Sequence, residues 1–330
     1  MREICLCLLF LCLPAQFAAA DATVIKFSLG GRDIERNRYK IDLIKLILKN
    51  SDCDYNLLYY YQERGGGHDD QIEKLEQGII TIKTFGATTE LENRLIPIRI
   101  PIFKGLLGCR VFLINRNDQY KFDRVTRLED LGRLTGIQGK GWADIKILEE
   151  AGLHQIAVPG KALFRMLNQG GRTDYFSRAL YEAVGELQTL EATYPQITLE
   201  KRILLTYPFA MFFYISPRFP ELAKKFARSF QQLVANGRFD AFFYTNPYIR
   251  NAIGKVRPER RRRFRIPNRH LSPKARMLPH SYWFDLDHFR EYNPTAPVSR
   301  NTPAQTTLRR PPDEDPFFTT DPALAHRRTK

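Results

Sequence analysis

The sequence predicts an α/β protein of two lobes, each built on a mixed, mostly parallel sheet flanked by helices. Three observations carry this. Short β-branched or aromatic runs alternate with amphipathic runs, the rhythm of strands that cross over through helices. Glycines punctuate the junctions. The alternation also comes in two sets, one before Pro97 and Pro101 and one after them. With 330 residues, 43% apolar and 12% aromatic, the chain has the length of about two domains and the side chains for a sizeable core.

In the first set, Val24–Leu29 reads as a strand, followed by a turn at Gly30-Gly31. The spacing over Arg38–Lys49 predicts a helix, with Ile41, Ile44 and Leu48 on one face and Asp42, Lys45 and Lys49 elsewhere. Tyr55–Tyr61 is an aromatic strand, Gly65-Gly66-Gly67 a loop, His68–Gln77 a short helix ended by Gly78, and Ile79–Phe85 a β-branched strand. The second set opens with Gly108–Asn115 as a strand and Thr126–Leu131 as a turn into a short helix. Leu134–Gln138 is a brief strand before Gly139-Lys140-Gly141, and Trp142–Ala151 is a helix closed by Gly152. His154–Val158 and Thr173–Phe176 are strands on either side of a helix over Lys161–Gln169, and a further helix runs to Leu190. Ala210–Ser216 returns as an apolar strand. Glu221–Asn236 is the best-patterned helix, its stripe formed by Leu222, Phe226, Phe230 and Leu233 and its end marked by Gly237.

The ends of the chain read differently. Met1-Arg2, an apolar run from Ile4 to Leu13 and Ala18-Ala19-Ala20 have the layout of a cleaved secretory signal over residues 1–20, which predicts export to the periplasm. Cys12 follows Leu11, which argues against lipidation. Export leaves Cys53 and Cys109, either bridged in an oxidising compartment or kept as two buried thiols. No apolar run reaches the ~20 residues that cross a bilayer, so the chain is expected not to span a membrane, and to act as a monomer. Residues 291–330 are rich in Pro, Thr, Arg and Asp without an apolar period, and are expected to be a disordered tail.

Charge is unevenly placed. The chain holds 51 basic and 36 acidic residues, a net +15, and residues 255–276 alone hold ten Lys or Arg against one Glu. That segment is either a solvated basic stretch or a patch for anionic lipid or a negative partner. Export and the lack of a recognition motif argue against nucleic acid.

Enzyme signatures are absent: there is no G-x-S-x-G, H-E-x-x-H, Walker A or G-x-G-x-x-G, and no two histidines lie at an i, i+4 spacing. Neither a metal site nor a cofactor is expected, and no residue is a candidate for catalysis. Two turns do stand out. In Gly136–Ile145 a strand enters a glycine-rich turn that opens a helix, with Lys140 as a counter-charge and Trp142 as an apolar wall. Free N–H groups at such a turn favour an anionic group, though the glycines equally suit an ordinary β–α turn. In Phe85–Arg94 the end of a strand leads through Thr88 and Thr89 into an acidic turn, a capping arrangement.

Together with Pro97-Ile98, Pro101–Gly108, Gly171-Arg172-Thr173-Asp174, Leu205–Pro208 and Phe212–Ser216, in this order, these stretches resemble the type II periplasmic solute-binding proteins. The similarity is to the amino-acid-binding branch that serves bacterial ABC importers, over about residues 22–290. The resemblance implies a periplasmic-binding-protein-like fold. Lobe one would take 21–104 plus 207–290 and lobe two 105–206, joined by a two-strand hinge near Gly105–Leu113 and Leu205–Tyr214. It implies a binding protein, not an enzyme, that traps a small polar ligand, an amino acid or related carboxylate. The ligand-binding residues would be Thr88, Thr89 and Arg94 from lobe one and Gly139, Lys140 and Trp142 from lobe two. Relatives place a carboxylate-binding Arg where this chain has Glu92, so either Arg94 takes that role or the ligand is not an ordinary α-amino acid. Asp174 and Glu182 are the candidates for the acid that meets a ligand amine. The implied partner is a membrane permease or, if the protein is a ligand sensor, a membrane signalling protein; an exported enzyme is the remaining alternative.

Overall fold

A computed structural model describes residues 23–29, 34–51, 54–61 and 67–286. The expected signal segment 1–20, Cys53 and the tail 291–330 lie outside these residues.

The first lobe is laid down by β1 (Thr23–Leu29), α1 (Ile34–Lys49), β2 (Tyr55–Tyr61), α2 (His68–Glu76), β3 (Ile82–Gly86), α3 (Thr89–Arg94) and β4 (Ile96–Ile98). β1 pairs parallel to β2 and β3. The chain then enters the second lobe through β5 (Cys109–Asn115), α4 (Gln119–Asp123), α5 (Leu128–Gly132), β6 (Gly136–Gly139), α6 (Asp144–Glu150), β7 (Gln155–Val158), α7 (Gly160–Gln169), β8 (Tyr175–Ala179), α8 (Leu180–Leu190), β9 (Ile197–Leu199) and β10 (Ile203–Thr206). It returns in β11 (Met211–Ile215), which inserts antiparallel between β3 and β4. α9 (Pro220–Ala235), α10 (Arg238–Thr245), α11 (Pro247–Val256), β12 (Arg262–Arg265) and α12 (Pro273–Arg276) follow. The sheet orders are β2-β1-β3-β11-β4 and β12-β10-β5-β8-β6-β7, with β9 also on β5.

The period-2 pattern of β11 explains its central place. Phe213 and Ile215 face a core shared with α1 and α9, while Phe212 and Tyr214 face a second core made with Ile72, Leu75 and Leu91. A strand apolar on both faces needs cover on both. The stripe of α9 is buried as patterned, with Phe226, Phe230 and Leu233 at 1% exposure or less. An aromatic stack ties the lobes together below the hinge. Phe103 lies between Tyr39 of α1 and Tyr181 of α8, with ring centroids 4.5 Å and 4.1 Å away.

One point differs from the expected organisation. Residues 207–290 do not all join the first lobe, because β12 pairs parallel with β10 at the edge of the second sheet and α11 packs against α8. From β12 the chain crosses back as a strap. Ile266 N–H donates to Thr206 O, Asn268 donates to Pro208 O, Leu271 and Ala275 enter the second core of lobe one, and Phe284 N–H donates to Lys104 O. The hinge therefore has a third strand of chain beside it. Cys109 at the start of β5 is a free buried thiol, one of the two states expected for it, and burial pushes its pKa up to about 12.

Candidate functional site

Between the two sheets lies an open cleft of about 740 Å³. Its lobe-one wall comes from the start of α2 (His68, Asp69), the end of β3 (Thr84, Phe85) and the start of α3 (Thr88, Thr89, Glu90). Its lobe-two wall comes from the turn into α6 (Gly141 to Lys146) and from Arg178 and Glu182 around the β8–α8 junction. Both walls are strand ends that run straight into helices, the edge at which open α/β sheets hold ligands.

The lobe-two wall is built from two charge clusters. Arg110, on β5 and 1% exposed, donates to Leu107 O at 3.0 Å and Ser177 O at 3.1 Å and pairs with Asp144 at 3.0 Å. Asp144 in turn accepts a hydrogen bond from the Tyr207 hydroxyl. Burial is the largest influence on Arg110 and opposes its charge, but Asp144 together with Tyr207 and Glu182 outweighs it and holds the guanidinium protonated. Arg178 makes a two-pronged pair with buried Glu186, at 2.8 and 2.7 Å, and a further contact to Glu182 at 3.1 Å. Burial again opposes its charge, and the two glutamates override it. The Arg178 guanidinium also lies 5.1 Å from the centre of the Trp142 ring.

The glycine turn proves to be a seat for that ring. A β-carbon at Gly139 would collide with the Trp142 indole, and Gly141 adopts φ +82°, a conformation that side chains rarely take. Opposite, the His68 ring meets Phe85 edge-on at 5.0 Å, and burial lowers its pKa, so the imidazole favours the neutral form.

Of the residues singled out from sequence, Thr88, Thr89, Trp142 and Glu182 line the cleft. The Thr88 hydroxyl caps α3 by accepting from Leu91 N–H, and Thr89 donates to His270 O on the strap. Arg94 does not swing in. Its guanidinium is held edge to edge by Glu76, at 2.8 Å on both sides, away from the cleft lining. Glu92 is also outside it, accepting from Arg99 and from the Ser272 hydroxyl. Asp174 is a structural acid that pairs with Lys121 at 2.6 Å and accepts from Thr135 N–H. Gly139 is buried beneath Trp142, and Lys140 is exposed outside the cleft. Sequence reasoning missed Arg110, Asp144, Arg178 and Tyr207. A signal existed in the two arginines, each a lone charge inside an apolar strand, CRVFLIN and YFSRA. Among the described residues no group of three His, Cys, Asp or Glu is placed to hold a metal, and no helix is long and apolar enough to cross a membrane.

No protein-family model matches the chain, and no curated protein matches its sequence. Solved structures do match its fold. The probable amino-acid ABC transporter extracellular-binding protein from Bacillus subtilis is 14% identical, over 67% of this chain and 96% of that one, with a TM-score of 0.50. An ancestral arginine-binding protein bound to arginine is 16% identical over 67% and 96%, at 0.49. A histidine kinase sensor domain with similarity to periplasmic binding proteins is 16% identical over 67% and 94%, at 0.47. With its two mixed sheets and the cleft between them, the chain has the fold of the type II periplasmic solute-binding proteins.

Proposed function

We propose that the protein is an exported solute-binding protein that captures a small amine-bearing polar solute, an amino acid or a close relative, in the inter-lobe cleft and presents it to an ABC-type importer in the membrane. The observation that carries this reading is the placement of Trp142 and Glu182 on one wall opposite Phe85 and Thr88 on the other. A solute held there has rings for its apolar part, a hydroxyl, and carboxylates for its amine.

The placement of the charges supports an amine. Four acids (Asp69, Glu90, Asp144 and Glu182) and four bases (Arg110, Lys146, Arg178 and Arg269) line the cleft. The two buried cations, Arg110 and Arg178, already carry carboxylate partners, and the exposed Asp69 and Glu90 of lobe one add negative charge opposite Glu182. Arg94 is held by Glu76 and offers the cleft no guanidinium fork. A purely anionic solute therefore meets no unpaired buried cation among the described residues. Binding without turnover fits a site whose charged groups are locked to one another instead of forming a nucleophile–base couple.

A melting-temperature screen against amino acids, amines, organic acids and small peptides tests the proposal. An amine-bearing solute at 100 times its Kd adds about 2.7 kcal/mol of stability. Glu182→Gln, which keeps the size of the side chain, is expected to weaken that solute at least tenfold; Arg178 keeps its two-pronged pair with Glu186, so the unliganded variant loses some melting temperature but stays folded. A screen without any stabilising amine, or equal affinity in Glu182→Gln, refutes the reading.

A further inference from the structure

Apart from Arg269, which lines the cleft, the basic segment that opens at Lys255 is not spent there. With Lys201 it lines a separate groove of about 510 Å³ between the loop after β9 and the end of α11. Lys201, Lys255, Arg257 and Arg260 are all exposed and form no ion pair among the described residues. Behind them the local acid is already consumed. Glu200, fully buried, accepts from the backbone N–H groups of Arg202 and Ile203 and pairs with Arg261. Arg261 also donates to Val256 O, so it covers a carbonyl at the negative end of α11 that would otherwise repel an anion. Glu259 is exposed on the same turn but outside the groove lining. Gly254 keeps the floor open, since a β-carbon there would meet nothing.

We propose that this groove docks the protein on the anionic phospholipid surface of a membrane, lipid phosphates settling between Lys201 and the Lys255–Arg260 turn. Four exposed cations on long flexible stems around an aliphatic floor suit a surface of mobile phosphates. No aromatic ring lines the groove, so a nucleic-acid base finds no stacking platform there. Such docking is electrostatic and weakens with salt.

The test is co-sedimentation of the full chain with vesicles of phosphatidylcholine alone or mixed with phosphatidylglycerol. The phosphatidylcholine arm subtracts association that does not depend on lipid charge. The expected result is binding that needs phosphatidylglycerol, is released by high salt, and falls at least tenfold in Lys201→Gln/Lys255→Gln/Arg260→Gln. A control that removes three exposed cations from α9, Lys224→Gln/Lys225→Gln/Arg228→Gln, is expected to stay within twofold of the parent. Equal binding to both vesicle types, or equal loss in the control, overturns the proposal. Failure to bind phosphatidylglycerol while heparin is retained, and lost in the groove variant, overturns it in favour of an acidic macromolecule.

Discussion

Gly139 and Trp142 account for each other: the indole lies where a side chain on 139 would stand, and the exposed part of the ring forms the cleft wall. A buried core tryptophan costs about 3–5 kcal/mol when truncated to alanine. Trp142 is only half-buried, so Trp142→Ala is expected to cost clearly less than that in thermal unfolding and to weaken solute binding sharply. A variant that melts like a lost core residue yet binds normally would remove Trp142 from the site. Arg94→Ala is expected to cost less than about 1 kcal/mol and leave affinity unchanged, because its pair with Glu76 is partly exposed. Lys83 provides a pH test. It is buried on β3, donates to the Ser28 hydroxyl, and desolvation with a smaller push from Lys40 lowers its pKa to about 7. Between about 7 and the ordinary 10.5 the unfolded chain holds a proton that the folded chain lacks, so this residue makes stability rise with pH across that window. The slope is at most about 1.4 kcal/mol per pH unit. Lys83→Met is expected to flatten it in melting curves from pH 7 to 10; an unchanged slope would show that Lys83 stays charged. At this scale, the turn residues Thr88 and Trp142 were legible because glycines and hydroxyls mark strand ends. Arg110 and Arg178 were not, because only the folded chain brings Asp144 and Glu186 to them and makes a buried charge tolerable.

The helices and strands with a strong apolar period, α9 and β11 above all, were readable from sequence, since a stripe or a two-faced run has few ways to be buried. β12 was not readable. Its four residues, Arg-Arg-Phe-Arg, carry no apolar alternation, and it is a strand because the free edge of β10 pairs with it. Charged side chains are also what protects an exposed edge from pairing with other chains. The same blind spot concealed the strap. A chain ended after Arg261 loses β12 and the buried anchors Ile266, Leu271, Ala275 and Phe284, and exposes Lys104 and Gly105 at the hinge. It is expected to melt many degrees below a chain ended at residue 290, by calorimetry of the two proteins. Equal melting would mean that the strap is an ornament on a self-sufficient pair of lobes.

On the scale of the molecule, two lobes were foreseeable from the order of the elements and the double crossing from the family resemblance, whereas the ligand's chemistry depends on how the charges of the cleft pair with one another. The chain holds two tryptophans, Trp142 in the cleft and Trp283 packed on Gly105 at the hinge. Trp283→Phe therefore leaves Trp142, in the proposed site, as the single tryptophan. The most direct test is a fluorescence titration of Trp283→Phe with the solute that most raises the melting temperature. Solute capture between the lobes requires a saturable change in Trp142 emission, at the same Kd that the thermal shift gives and at least tenfold weaker in the added Glu182→Gln. Emission that stays constant while the solute stabilises the protein would place binding elsewhere and contradict the cleft as the site.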